Sequence, residues 1–161
     1  MNTTEVNFIG YGDWGARLAQ KVVKEGFIIH SLVTNSIAVN VQCQNIIKRH
    51  EMHLIDWNLP TFISTGPNYH HQILPFIKGR AFVEKPYLLL GQVNSEPRHS
   101  PYINYLWYNS TKLYKIRESI GTDWSILNVE FYTTTTTRRG FSVIEDFLPH
   151  IVSIAMFFGF L

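Results

Sequence analysis

Val6-Asn7-Phe8-Ile9-Gly10-Tyr11-Gly12-Asp13-Trp14-Gly15 is the stretch that decides the fold. Val6 to Ile9 is a short apolar run of strand-forming residues, and it leads directly into glycines at 10, 12 and 15. A helical pattern follows from Trp14 to Glu25 and stops at Gly26. G-x-G-x-x-G between a strand and a helix predicts dinucleotide binding. In that motif the first glycine permits the tight turn and the second lets backbone approach a pyrophosphate. The third lets the helix lie close to the strand. The helix start then offers unpaired N–H groups and the positive end of its dipole to the phosphates.

Outward from this unit, Trp14, Leu18, Val22 and Val23 form the expected buried stripe of the first helix. Phe27 to Val33 reads as the second strand. Its tip, Thr34-Asn35-Ser36, carries no charge: Asn35 can bond a ribose hydroxyl, but nothing there chooses between NAD and NADP. Ser36 to Pro60 is too short for a crossover helix, a strand and another helix. It predicts a compressed connection with a helix within Asn45 to Trp57. His50 and His53 stand three apart with no third ligand nearby, so no metal site is expected. Thr61 to Thr65 reads as a strand, Gly66-Pro67-Asn68 as a turn with Asn68 as helix cap, and Pro75 as a bend or early stop in the helix that ends at Gly79. His70 and His71 are adjacent and diverge on a helix. Ala81 to Val83 is a further strand, delivering Glu84-Lys85-Pro86 at its carboxyl end, where ligands gather in open α/β sheets.

The polar run from Gly91 to Ser100 reads as a loop and domain boundary. Beyond it come an aromatic strand (Tyr102 to Tyr108), a helix capped by Asn109 or Ser110 and running to Ile120, and a strand from Trp124 to Thr135. Leu127, Val129 and Phe131 alternate there with Asn128 and Glu130, as in a sheet covered on one side. Thr133 to Thr137 extends that strand as an exposed end. Arg138-Arg139-Gly140 is a turn, and an apolar helix occupies Phe141 to Leu161.

The 161 residues suffice for one domain or somewhat more, and 45% apolar with 16% charged residues describes a folded globule. Fourteen basic against 12 acidic residues give a net charge of +2, too balanced to point to nucleic acid. Cys43 is the single cysteine, so no internal disulfide forms and a reducing compartment is expected. Met1-Asn2-Thr3-Thr4-Glu5 lacks the marks of a signal peptide. Phe147 to Leu161, interrupted by Pro149, His150 and Ser153, falls short of the about 20 residues a bilayer requires. The expectation is a cytoplasmic, soluble protein without a membrane partner.

With these pieces in place the chain resembles the Gfo/Idh/MocA oxidoreductases, named for glucose–fructose oxidoreductase and inositol dehydrogenase. The likeness rests on the glycine turn, on Thr65-Gly66-Pro67-Asn68-Tyr69-His70 beside the family's T-P-x-x-x-H, on Glu84-Lys85-Pro86 beside its E-K-P, and on Asp146-Phe147-Leu148-Pro149-His150 beside its D-x-x-x-H. Gly66 stands where the family commonly has proline, Ile151 where a second aspartate often follows, and the basic residue often found after the Tyr102 to Tyr108 strand is not evident. The resemblance implies a Rossmann-like doubly wound parallel sheet in residues 1–90. A short, incomplete α+β substrate or oligomerisation domain would occupy 91–161.

It further implies hydride transfer between NAD or NADP and a hydroxyl or carbonyl carbon of a sugar, cyclitol or sugar nucleotide. Gly10, Tyr11, Gly12, Asp13, Trp14, Gly15, Asn35, Thr65, Pro67, Asn68, His70, Glu84 and Lys85 would hold the cofactor. Lys85 would also polarise the reacting oxygen, His150 would act as acid–base and Asp146 would orient it. The alternatives are a non-catalytic dinucleotide-binding or interaction protein and a decayed fragment. Ile151, Ile154, Met156, Phe157, Phe158, Phe160 and Leu161 would outnumber the sheet available to cover them. A homo-oligomer or a partner chain is therefore expected to cover the last helix.

Overall fold

The computed structural model describes residues 4–85, 101–104, 110–120 and 143–159. Pro86, the Gly91 to Ser100 loop, the strand at Trp124 to Thr135, the turn at Arg138-Arg139-Gly140, Phe160 and Leu161 lie outside the described residues. The chain divides into two units, residues 1–104 and 105–161.

The first unit contains strands β1 (Glu5–Ile9), β2 (Ile28–Val33), β3 (Cys43–Ile47), β4 (Thr61–Ile63), β5 (Ala81–Glu84) and β6 (Tyr102–Asn104). They form one sheet in the order β3-β2-β1-β4-β5-β6, with every neighbouring pair parallel. From β1 the chain winds outward through β2 and β3, then returns to build β4, β5 and β6 on the other side. The order therefore reverses between β1 and β4, the topological switch point of a doubly wound sheet.

Side chains alternate between the two faces of the sheet. The register aligns Ile47, Val33, Ile9, Ile63, Val83 and Ile103 in one lateral row. All but Ile103 join a core with Ile55, Ile73, Leu74 and Ile77. The preceding row contains Leu32, Phe8, Phe62, Phe82 and Tyr102. There Phe8 and Leu32 pack with Ala19 and Val22 from helix α1 (Asp13–Lys24). Along this row the rings stack from strand to strand, with centroids 5.9 Å (Phe8–Phe62), 4.7 Å (Phe62–Phe82) and 5.3 Å (Phe82–Tyr102) apart. Asn7, fully buried on β1, donates through Nδ2 to the Asp56 carbonyl at 2.8 Å and ties the loop before β4 to the sheet.

Several local expectations are corrected. The centre of α1's buried face is Gly15, Ala19 and Val22, while Trp14 is exposed, because the helix is drawn onto the sheet through its glycine. No α-helix forms within Asn45 to Trp57. That stretch holds β3 and a 3-10 helix at Arg49–Leu54, whose start is fixed by the Lys48 N–H donating to the Glu51 carboxylate at 3.0 Å. β3 was hard to see because it is an edge strand, with Gln44, Asn45 and Ile46 exposed. Asn68 caps nothing: Pro67–Tyr69 is a 3-10 turn entered from Gly66, without a side-chain cap. Pro75 does shorten the following helix, leaving α2 (His70–Ile73) and a 3-10 turn at Leu74–Phe76.

In the second unit, α3 (Thr111–Ile120) and α4 (Val143–Phe158) are described. Leu113 packs against Ile154, Phe157 and Phe158, and Tyr114 meets Phe157 edge-on at 4.7 Å. Arg117 Nη1 donates to the Phe157 carbonyl at 3.0 Å, satisfying an acceptor in the last turn of α4. Three of the expected apolar residues are therefore buried, while Leu148, Ile151 and Met156 stay exposed. Among the described residues no helix is long and apolar enough to cross a membrane.

Candidate functional site

Every strand of the first unit ends at the same edge, and the glycine turn lies there between β1 and α1. Gly10 has φ +98°, a left-handed conformation, and a Cβ there would come within 2.9 Å of Ser64 and Thr65 backbone. At Gly15 a Cβ would stand 2.3 Å from Ser64 Oγ and 2.5 Å from the Gly10 carbonyl. Ser64 Oγ donates to that same carbonyl at 3.1 Å. Glycine at 15 thus lets α1 seat against the ends of β1 and β4. Gly12 is different: a Cβ there would meet nothing within 4 Å among the described residues, so none of them demands glycine. It is the N-cap residue of α1 and supplies no side-chain cap. The first N–H groups of α1 are therefore left to solvent or ligand, beside a backbone with room for close approach.

Beside this turn is a cleft of about 440 Å³ lined by Ile9, Gly10, Tyr11, Gly12, Val33, Thr34, Asn35, Ser36, Arg49, Met52, Ser64, Thr65, Gly66, Tyr69 and Ile73. Its walls come from the ends of β1, β2 and β4, the turn after β3, and α2. Thr65 Oγ1 is buried without a hydrogen-bond partner among the described residues. An orphaned hydroxyl, an uncapped helix start and an unobstructed Gly12 fit a phosphate-bearing ligand. Of the residues expected to hold a cofactor, the cleft brings together Gly10, Tyr11, Gly12, Asn35 and Thr65.

The others stand apart from it. Asp13 lines a smaller hollow with Tyr11, Gly12 and Ser36, whereas Trp14 lines neither space. Gly15 and Pro67 are buried and Asn68 is exposed. His70 is fully buried, with Nε2 3.0 Å from the Thr65 carbonyl, so it braces the cleft-lining turn from behind. Glu84 and Lys85 are buried at the carboxyl end of β5, on the strand beside β4, and do not line the cleft. Asp146 and His150 lie on α4 of the second unit; the His150 carbonyl accepts from Ser153 Oγ at 2.9 Å. Among the described residues no cluster of three or more metal-ligating side chains occurs.

The sequence reading missed Arg49 and Tyr69. The Arg49 guanidinium lies over the Tyr69 ring, 3.8 Å from its centroid, and Nη2 donates to Gln72 Oε1 at 3.1 Å. Reading Cys43 to Ile47 as the third strand would have placed Arg49 at the same sheet edge as Asn35.

Sheet order and the strand–glycine turn–helix unit together define a doubly wound, Rossmann-like parallel α/β fold. No protein-family model and no curated protein matches the sequence. Among solved structures the chain is similar to the WlbA (WbpB) dehydrogenase of Thermus thermophilus, in complex with NAD and UDP-GlcNAcA. The TM-score is 0.59 at 12% identity, over 76% of this chain and 48% of that one. It is also similar to a probable dehydrogenase of Thermotoga maritima, with TM-score 0.57 and 16% identity, over 72% of this chain and 40% of that one. At these identities the likeness is one of fold, and the chain spans less than half the length of either protein.

Proposed function

We propose that the first unit binds a nicotinamide dinucleotide, and that the protein is an oxidoreductase acting on a hydroxyl or carbonyl carbon of a sugar, cyclitol or sugar nucleotide. The observation that carries this reading is the glycine turn: an uncapped helix start beside an unobstructed Gly12, opening into a cleft at the switch point of the sheet. The solved dehydrogenases of the same fold support it. Gly10, Gly12 and the first turn of α1 would hold the pyrophosphate, and Asn35 the adenosine ribose. The cofactor, when bound, supplies a two-electron hydride acceptor or donor.

Oxidising an alcohol also releases its hydroxyl proton, and a base must take it. By position in the sequence motifs His150 is assigned that proton, Asp146 its orientation, and Lys85 the stabilisation of negative charge developing on the substrate oxygen. The test has two layers. NADH and NADPH fluorescence titrations ask whether the turn binds a dinucleotide at all. A panel of sugars, inositols and nucleotide sugars, screened with both cofactors, then asks for turnover and for its loss in Lys85→Ala and His150→Ala. Tight binding with no turnover on any substrate replaces the enzyme reading with that of a binding module. Activity undiminished in His150→Ala removes the acid–base assignment.

A further inference from the structure

The end of β2 carries no charge of its own, and the fold delivers one from the neighbouring strand. β3 runs parallel beside β2 with Ile47 opposite Val33, so Asn35 and Arg49 each follow their strand by two residues and both line the cleft. Arg49 is held in place there: one face of its guanidinium covers Tyr69 and one N–H bonds Gln72. Those contacts use one of the five N–H donors that a guanidinium presents. Among the described residues lining the cleft there is no aspartate or glutamate, and Arg49 is the one formally charged side chain.

We propose that Arg49, together with Asn35 and Ser36, forms a subsite for the 2′-phosphate of the adenosine ribose, so that this chain prefers NADP(H) to NAD(H). The inference rests on the dinucleotide reading above and adds its specificity. A free 2′-hydroxyl is best held by a carboxylate, which accepts its proton in a hydrogen bond. A 2′-phosphate offers only acceptor oxygens and carries nearly two negative charges near neutral pH, so a carboxylate would repel it. A guanidinium matches both its charge and its geometry. Stacking on Tyr69 lowers the entropy lost when the arginine closes on the phosphate.

The experiment is a pair of fluorescence titrations, NADPH and NADH, on the full chain and on Arg49→Gln and Arg49→Lys. Competition by adenosine 2′,5′-bisphosphate is compared with that by adenosine 5′-monophosphate. Wild type should bind NADPH roughly 10- to 100-fold more tightly than NADH, the range of one or two charge-assisted hydrogen bonds. Arg49→Gln should bring that ratio close to one, and Arg49→Lys should restore part of it. The bisphosphate should be the stronger competitor, and its advantage should shrink with added salt.

Equal affinities or an NADH preference in wild type overturn the inference and leave the dinucleotide reading standing. A preference that survives Arg49→Gln, or an equal loss for both cofactors, overturns the role given to Arg49. If neither cofactor binds, both readings fall. Matching circular dichroism and melting of Arg49→Gln and wild type establish that its side chain, exposed in the fold, is not needed for folding.

Discussion

Two alanine substitutions three residues apart should separate the architectural glycine of the turn from the one proposed to face the dinucleotide. At Gly15 the new methyl would stand 2.3 Å from Ser64 Oγ and 2.5 Å from the Gly10 carbonyl. The serine can rotate away, at the loss of its hydrogen bond to Gly10. The carbonyl cannot, because Gly10 is pinned at φ +98° against Ser64 and Thr65. Overpacking of this kind costs about 1–3 kcal/mol. The lost bond adds roughly 0.5–1.5 kcal/mol, and the better helix propensity of alanine returns about 1 kcal/mol. Gly15→Ala is therefore destabilised by about 0.5–3.5 kcal/mol, centred near ~2 kcal/mol, which is a drop of roughly 8–16 °C in Tm at that centre for a unit of this size. At Gly12 the methyl meets no atom within 4 Å among the described residues, so Gly12→Ala should melt within about 4 °C of wild type. If the pyrophosphate lies against Gly12 and the first turn of α1 as proposed, the variant should nevertheless lose dinucleotide affinity by at least about tenfold, because a methyl there would stand between phosphate and amides. Thermal melts and NADPH titrations on the two variants read both quantities. The reasoning fails if Gly12→Ala melts as early as Gly15→Ala, or if Gly12→Ala binds NADPH like wild type.

Other consequences are simpler to measure. Asn7→Ala removes the donor that holds the Asp56 carbonyl and should lower stability by about 1–3 kcal/mol in a urea titration, without changing the cleft. The Asn58 backbone N–H, followed by its side-chain amide, bonds the Asp56 carboxylate and holds its pKa below the ordinary value. A depressed carboxylate stabilises the fold at pH above its unfolded pKa and loses that contribution as pH falls through the folded one. The stability difference between wild type and Asp56→Asn should accordingly hold level from neutrality down to about pH 4, begin to shrink below that, and vanish only once the pH has fallen past the depressed folded pKa. Burial pushes the Cys43 thiol up, so at neutral pH it should react with a maleimide more slowly than a free cysteine, and at the free rate once the chain is unfolded. Leu148, Ile151 and Met156 remain exposed on α4, and light scattering at rising concentration should show association that Ile151→Lys weakens.

How much of this could be read in advance depended on how two-sided each element's burial is. β1, β2 and β5 are buried on both faces or nearly so, and they announce themselves by their Val, Ile, Leu and Phe content despite Asn7 in β1 and His30-Ser31 in β2. The glycine turn was legible because its three positions answer to sterics that only glycine meets or to space that only glycine leaves. β3 failed to announce itself: only Ile47 of Cys43-Gln44-Asn45-Ile46-Ile47 is buried, so the stretch has neither a strand's run nor a clean alternation. Missing β3 also hid Arg49, whose place at the cleft comes from which strand it follows. Pro67 and Pro75 signalled turns correctly, but Asn68 was misread because it stands inside the 3-10 turn, two residues past that turn's N-cap at Gly66 and one residue before the N-cap of α2 at Tyr69. His70 carries the motif's histidine, and the fold uses it for a buried bond to a backbone carbonyl.

The connection from β2 to β3 shows why the site could be built in so short a chain segment. A doubly wound unit normally covers this part of the sheet with a crossover helix, and here residues 34–42 form none. Val39 and Val41 instead lay their side chains against the core of Phe8, Ala19 and Leu32, which keeps that face dry at the cost of leaving Ile46 53% exposed. A loop in this position needs an anchor, and Tyr11 provides it. Its hydroxyl donates to Asn40 Oδ1 and accepts the Asn40 N–H at 3.2 Å, while Gln20 Nε2 of α1 donates to the same Asn40 oxygen at 3.2 Å. The residue between the first two glycines thus ties the glycine turn to the loop that carries Asn35 and Ser36. With no crossover helix here, the Tyr11 phenol adds a side-chain tie to the backbone bond by which the Gly10 N–H already holds the Val33 carbonyl at 2.9 Å. Tyr11→Phe keeps the ring in its core and cuts only that tie, so it should weaken NADPH binding well beyond any change in melting temperature.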